Sequence, residues 1–136
     1  MKQGFEKRLD SLAAAGGNVF HGGLKGVEKE SLRIRPDGFL AQTPHPEDLG
    51  SALTNRFITT DFSEALLEFV TPAFESTWEA LRCICDIHHF TYGRLGEEML
   101  WTASMPCRIP ADRDIPLARY GDSNVGRMKT IYRRGL

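Results

Sequence analysis

The sequence has 136 residues, of which 41% are hydrophobic and 26% charged, with 17 Lys and Arg set against 18 Asp and Glu. A formal charge of −1 and a pI near 6.4 exclude a strongly basic nucleic-acid binder, and no apolar run is long enough for a membrane-spanning helix. The amino-terminal stretch from Met1 to Arg8 lacks the apolar region of a secretory signal, so the default expectation is one domain, in the cytoplasm.

In chain order, Phe5, Leu9, Leu12 and Ala13 recur at helical spacing, and Gly16-Gly17 supplies a stop. A glycine pair, Gly22-Gly23, follows in a loop that holds His21. From Leu24 the period changes to two. Val27, Lys29, Ser31, Arg33 and Arg35 then point one way, and Glu28, Glu30, Leu32 and Ile34 the other. Pro36-Asp37-Gly38 is a turn signal, Phe39-Leu40-Ala41 begins a second strand, and Gln42 to Gly50 reads as a surface loop. Ile58 to Phe62 and Leu66 to Val70 are two further strands, rich in β-branched and aromatic residues, and Pro72 closes the second.

Ser76 with Glu79 three residues on is a capping box. The helix it opens carries Trp78, Leu81, Cys85, His88, Tyr92 and Leu95 as its apolar wall, with Gly96 as the stop. Irregular chain with Pro106, Pro110 and Pro116 comes next. A last helical pattern starts at Ser123, carries Val125, Met128 and Ile131 or Tyr132, and reaches Leu136 without a capping residue.

The sharpest chemical feature is Glu28-Lys29-Glu30. Two residues apart on a strand, the two acids share a face with backbone positions about 6.6 Å apart. That face continues into Leu32 and Ile34, so the carboxylates are expected on the side that becomes core. Carboxylates on an apolar side need neutralising, pairing or a cation, and hard oxygen donors suit Mg²⁺. Asp61 and Glu68 are two more acids beside apolar strand segments; four such acids match sites where metal ions clamp a transferring phosphoryl group. The competing reading is a solvated strand edge, since Glu is seldom buried.

Of the remaining residues, His88 reads as a core histidine with a hydrogen-bond partner, and His89 as solvent-facing. Cys83, Cys85 and Cys107 are an odd number and too few for a disulfide scaffold, Cys83 and Cys85 face apart on a helix and so poorly suit a shared metal, and the three read as buried thiols in a reducing compartment. Arg127, Lys129, Arg133 and Arg134 form a basic cluster that reads as a solvated helix surface. No phosphate-binding Gly-Lys-Ser/Thr loop is present.

Several segments together resemble the proteobacterial type of glutamate–cysteine ligase. These are Gly26 to Arg33, His45-Pro46, Leu49 to Thr54, Ile58 to Phe69, Thr71-Pro72, Ser104 to Cys107, and Tyr120-Gly121 through Asn124 and Lys129 to Leu136. The resemblance implies an α+β fold similar to part of glutamine synthetase, a curved, mainly antiparallel sheet with flanking helices. It implies ATP-dependent joining of the γ-carboxylate of L-glutamate to L-cysteine through a γ-glutamyl phosphate, the first step of glutathione biosynthesis. Mg²⁺, with Mn²⁺ as an allowed substitute, would be the metal, and ATP the co-substrate. By the same resemblance Glu28, Glu30, Asp61 and Glu68 would be metal ligands, and Phe62, Tyr132, Arg133 and Leu136 would form the cysteine pocket.

Family members are much longer, so the resemblance implies that residues 1–136 would be an N-terminal portion of a larger catalytic domain, truncated at its C-terminus: a helical lead-in over 1–25 and a family-like region over 26–136. Most nucleotide-binding residues would lie beyond Leu136, so the piece alone is expected to be inactive and to need the remainder of the enzyme chain. Its other partners would be small molecules, with no nucleic acid and no membrane. A stand-alone, non-catalytic domain that binds a metal or an amino acid is the alternative, and a helix-mediated interaction module a third.

Overall fold

The computed structural model describes residues 2–16 and 21–135. Helix α1 spans Lys2–Ala14, and Gly16 follows it with φ of +72°, a value glycine takes without a Cβ penalty. Among the described residues its stripe of Phe5, Leu9 and Leu12 lies exposed.

Among the described residues four strands build one sheet: β1 (Glu28–Ile34), β2 (Ile58–Thr60), β3 (Leu66–Val70) and β4 (Met99–Leu100), in the order β2-β3-β1-β4. Every pairing is antiparallel, so the expected α+β architecture with an antiparallel sheet and flanking helices is observed. The Pro36-Asp37-Gly38 turn folds as expected, with Gly38 at φ +81° and its N–H donating to the Arg35 carbonyl. Beyond it Phe39 and Leu40 make single bridges, to Arg108 and Ile34, rather than a strand.

Helix α2 spans Thr77–Tyr92, and the Ser76 hydroxyl accepts from the Glu79 N–H as the capping pattern predicts. Its buried face is not the expected one. Ala80, Ile84, Ile87 and Thr91 are buried, whereas Trp78, Leu81, Cys85 and Tyr92 are exposed. The helix also stops earlier than Gly96, at a C-cap on Gly93. His88 does behave as a core histidine: Nδ1 lies 2.8 Å from the Ile84 carbonyl, and the ring meets Phe69 edge-on at 4.8 Å. Helix α3 spans Asn124–Arg134, capped by the Ser123 hydroxyl at the Gly126 N–H. The sequence pattern suggested no C-cap, yet Gly135 occupies that position, its N–H bonded to the Ile131 carbonyl.

The main core lies between α2 and one sheet face, where Leu67, Phe69 and Ile58 meet Ile84, Ile87, Leu49, Leu95 and Leu100. Residues of β1 on that face are Lys29, Ser31 and Arg33, since Lys29 pairs with Phe69 and Ser31 with Leu67. This reverses the expectation from alternation, which put Glu28 and Glu30 on the core side. They are exposed, and Arg33 is fully buried. The fold accommodates that guanidinium by pairing its two terminal nitrogens: Nη1 donates to Glu98 Oε2 at 2.6 Å and to Thr43 Oγ1 at 2.7 Å, and Nη2 to the carbonyls of Thr43 and Glu64. A smaller second core of Ile34, Leu40, Ala65 and Cys107, flanked by Leu32 and Trp101, covers the far end of the acidic face. The acids themselves are left at its open end.

Candidate functional site

Strand register decides which acids are neighbours. Glu30 lies directly across from Glu68, and Thr59 faces Glu68 from the other side. Glu28 is across from Val70. The Asp61 N–H continues the β2–β3 ladder by donating to the Leu66 carbonyl at 3.1 Å. Glu68 is therefore the middle of the group: Glu30 is opposite it, with Glu28 and Asp61 on the two diagonals. Opposed residues in an antiparallel pair have Cβ atoms about 5 Å apart and diagonal neighbours lie about 7–8 Å apart. All four acids thus fall on the sheet face that α2 does not cover.

They are gathered on one wall, but not into a closed cage. Among the described residues no three His, Cys, Asp or Glu side chains form a ready-made metal cluster. Glu28 and Glu30 are exposed, while Asp61 and Glu68 are half-buried and each engages other groups. Carboxylates set opposite one another repel, and a hard divalent cation with water in part of its shell relieves that repulsion through oxygen donors of this kind. The donor set fits Mg²⁺. Beside Glu30 a cavity of about 400 Å³ opens, walled by Leu32, Leu66, Trp101, Met105 and Ile109.

The expected cysteine-pocket residues occupy two elements. Phe62 follows Asp61 in the turn between β2 and β3 and is partly exposed, and Tyr132 is exposed on α3. Arg133 is the next residue of α3, its side chain outside the described part, and Leu136 lies outside the described residues.

Two residues that sequence reasoning passed over tie these pieces together. Glu64, in the turn after Phe62, is 2% exposed, and its carboxylate accepts the main-chain N–H of His45 at 2.9 Å and of Arg119 at 2.6 Å. The Tyr120 hydroxyl, also buried, donates to the carbonyls of Thr60 at 2.7 Å and Asp61 at 3.1 Å. A sequence shows Glu64 only as one acid in a turn flanked by small residues, and nothing local marks its partners 19 and 55 residues away. The nearby His45 imidazole is held below its ordinary value, first by burial and then by the Arg33 guanidinium.

The fold and site therefore define an α+β protein whose antiparallel sheet presents carboxylates on its open face. A sequence profile described as glutamate–cysteine ligase matches residues 9–136. The glutamate–cysteine ligase of Pseudomonas putida (strain W619) is 57% identical over 113 residues, 83% of this chain and 22% of that protein. That of Alcanivorax borkumensis is 53% identical over 96% of this chain and 25% of its own length. Among solved structures, the glutamate–cysteine ligase of Francisella tularensis in complex with AMP superposes with a TM-score of 0.79 at 43% identity, over 83% of this chain and 23% of that one. A bifunctional glutathione synthetase from Pasteurella multocida gives 0.71 at 36% identity, over 76% and 14%. The chain belongs to the glutamate–cysteine ligase family. It spans about a quarter of the length of the curated relatives it matches.

Proposed function

We propose that this chain is the part of a glutamate–cysteine ligase that supplies a carboxylate wall for Mg²⁺–ATP and the first residues of the cysteine pocket. The observation that carries the reading is the placement of Glu28, Glu30 and Asp61 around Glu68 on the uncovered sheet face, in a chain of this family. ATP enters the reading because a solved relative is described in complex with AMP.

A carboxylate is a poor acyl donor. In the proposed reaction a γ-carboxylate oxygen of glutamate attacks the terminal phosphorus of ATP, the bond to ADP breaks, and a γ-glutamyl phosphate forms. The amine of cysteine then attacks the acyl carbon, the carbon–oxygen bond to phosphate breaks, the nitrogen loses a proton, and an amide remains. Bound at Glu28, Glu30, Asp61 and Glu68, a divalent cation would neutralise charge on the phosphate oxygens. The chain's own share is positioning. The sheet holds the four acids in fixed register, the Asp61–Phe62 turn sets an aromatic wall next to them, and α3 brings Tyr132 and Arg133 as further cysteine-side residues, with Leu136 after them. The free thiols of Cys83, Cys85 and Cys107 suit a reducing, cytoplasmic setting.

In a full-length ligase carrying this segment, phosphate release should require glutamate, cysteine, ATP and Mg²⁺ together. Glu30→Gln and Glu68→Gln should each lower the rate at least about a hundredfold and raise the Mg²⁺ needed for half-maximal rate, because each removes one anionic ligand. Rates within twofold of the parent for both variants would remove the metal role.

A further inference from the structure

We propose that Glu64 and Tyr120 are positioning residues that join the Asp61–Phe62 turn to helix α3, so that the metal side and the cysteine side of the site are set as one unit. This rests on the ligase reading above and adds to it two residues that act through the groups they hold.

The join is a zipper between residues 60–64 and 116–120. The Glu64 N–H donates to the Pro116 carbonyl at 2.8 Å, Ser63 and Leu117 form an antiparallel bridge, and the Ala118 N–H donates to the Phe62 carbonyl at 3.1 Å. The Glu64 carboxylate closes one end on the Arg119 N–H, and the Tyr120 hydroxyl closes the other on the Thr60 and Asp61 carbonyls. A buried carboxylate that accepts two main-chain N–H groups is held by charge-assisted bonds in a medium of low dielectric, and it cannot swing out without leaving that charge unpaired. Arg33, itself fixed by Glu98, holds the Glu64 carbonyl at 3.0 Å from behind.

The zipper then reaches α3 within a few residues. Tyr120 and Gly121 lead to the Ser123 cap. The first turn of α3 sits so close to them that a Cβ added at Gly126 would stand 2.3 Å from the Tyr120 carbonyl oxygen and 2.4 Å from that of Gly121. From the next turn, the Lys129 ammonium lies 4.6 Å from the centre of the Tyr120 ring. Tyr120 therefore touches the Asp61 turn with its hydroxyl and α3 with its ring and backbone. Among the described residues, Tyr120 and the Glu64 carboxylate beside it link the Phe62 turn to α3.

Two full-length variants test this by kinetics. Glu64→Gln keeps the shape but turns an NH₂ toward one of the two main-chain N–H groups, and Tyr120→Phe removes only the hydroxyl. In an active enzyme each should raise the KM for cysteine about tenfold or more, with the KM for glutamate within twofold, because a displacement near 1 Å is enough to spoil a binding geometry. The half-saturating Mg²⁺ should rise in Tyr120→Phe as the Asp61 carbonyl loses its tether. A folded Tyr120→Phe enzyme with an unchanged KM for cysteine overturns the proposal, as does an equal rise in both KM values; should Glu64→Gln fail to fold, Tyr120→Phe decides alone. Absence of glutamate- and cysteine-dependent phosphate release in the parent enzyme would instead count against the ligase reading itself.

Discussion

Removing the carboxylate of Glu98 should be among the most costly single changes in this chain. The Arg33 side chain is fully buried and that of Glu98 is 13% exposed, with 2.6 Å between Nη1 and Oε2. In Glu98→Ala the guanidinium keeps only neutral partners, the Thr43 hydroxyl and carbonyl and the Glu64 carbonyl. Its Nε is already buried without a hydrogen-bond partner among the described residues. Breaking a buried pair by deleting one member costs about 3–5 kcal/mol, because the remaining charge cannot return to water. A chain of this length unfolds with an entropy of roughly 0.3 kcal/mol/K, so the melting midpoint should fall by about 10–17 °C. Glu98→Gln, which keeps an oxygen acceptor but loses the charge, should lose about half as much. Thermal unfolding of the 136-residue chain followed by circular dichroism measures all three proteins. The exposed pair Arg35–Asp37, both side chains about half exposed, is the control, and Asp37→Asn should move the midpoint far less. A Glu98→Ala midpoint within about 3 °C of the parent would refute the reasoning, since it would mean that Arg33 is reached by water or by another anion.

Two further outcomes follow from the same packing. The folded His45 imidazole titrates below its ordinary 6.5, so the unfolded chain takes up that proton first. Its contribution to stability should be complete above about pH 6.5 and be lost as pH falls below that value; urea midpoints from about pH 7 to 5 should show this slope, and His45→Gln should flatten it. Gly126→Ala should destabilise the protein by about 1–3 kcal/mol although alanine is the better helix former, because its Cβ would overlap the Tyr120 and Gly121 carbonyls. An unchanged or raised melting midpoint for that variant would mean that α3 backs away from Tyr120 without cost.

Much of the local structure could be read from residues alone. Alternation from Val27 placed β1, the β-branched runs placed β2 and β3, and the Ser76–Glu79 spacing placed the start of α2 within a residue. Each of these rests on interactions a few residues long. The faces were harder. Alternation sorts β1 into two sets, yet Leu32 and Ile34 beside Glu30 look more like core than Lys29 and Arg33 do. Phe69 and Leu67 on the next strand reverse that preference, and a guanidinium is buried because Glu98, Thr43 and Glu64 surround it. In α2 two apolar stripes compete. The larger side chains, Trp78, Leu81 and Tyr92, lose to buried Ala80, Ile84 and Ile87, of which Ile84 and Ile87 share the core with Phe69 and Leu67.

By itself the sequence determined strands β1 to β3, the Ser76 cap, the turn at Gly38, the family resemblance and which acids could matter, because backbone sterics and hydrogen bonds act over short spans of chain. Only the tertiary structure decided that Glu68 sits between Glu30 and Asp61 and that this wall faces away from α2. It alone also showed the Glu64 carboxylate spanning two distant segments. Register and burial are settled by pairings between residues tens of positions apart, where apolar area and buried charge are balanced over the whole fold and no local pattern records the result.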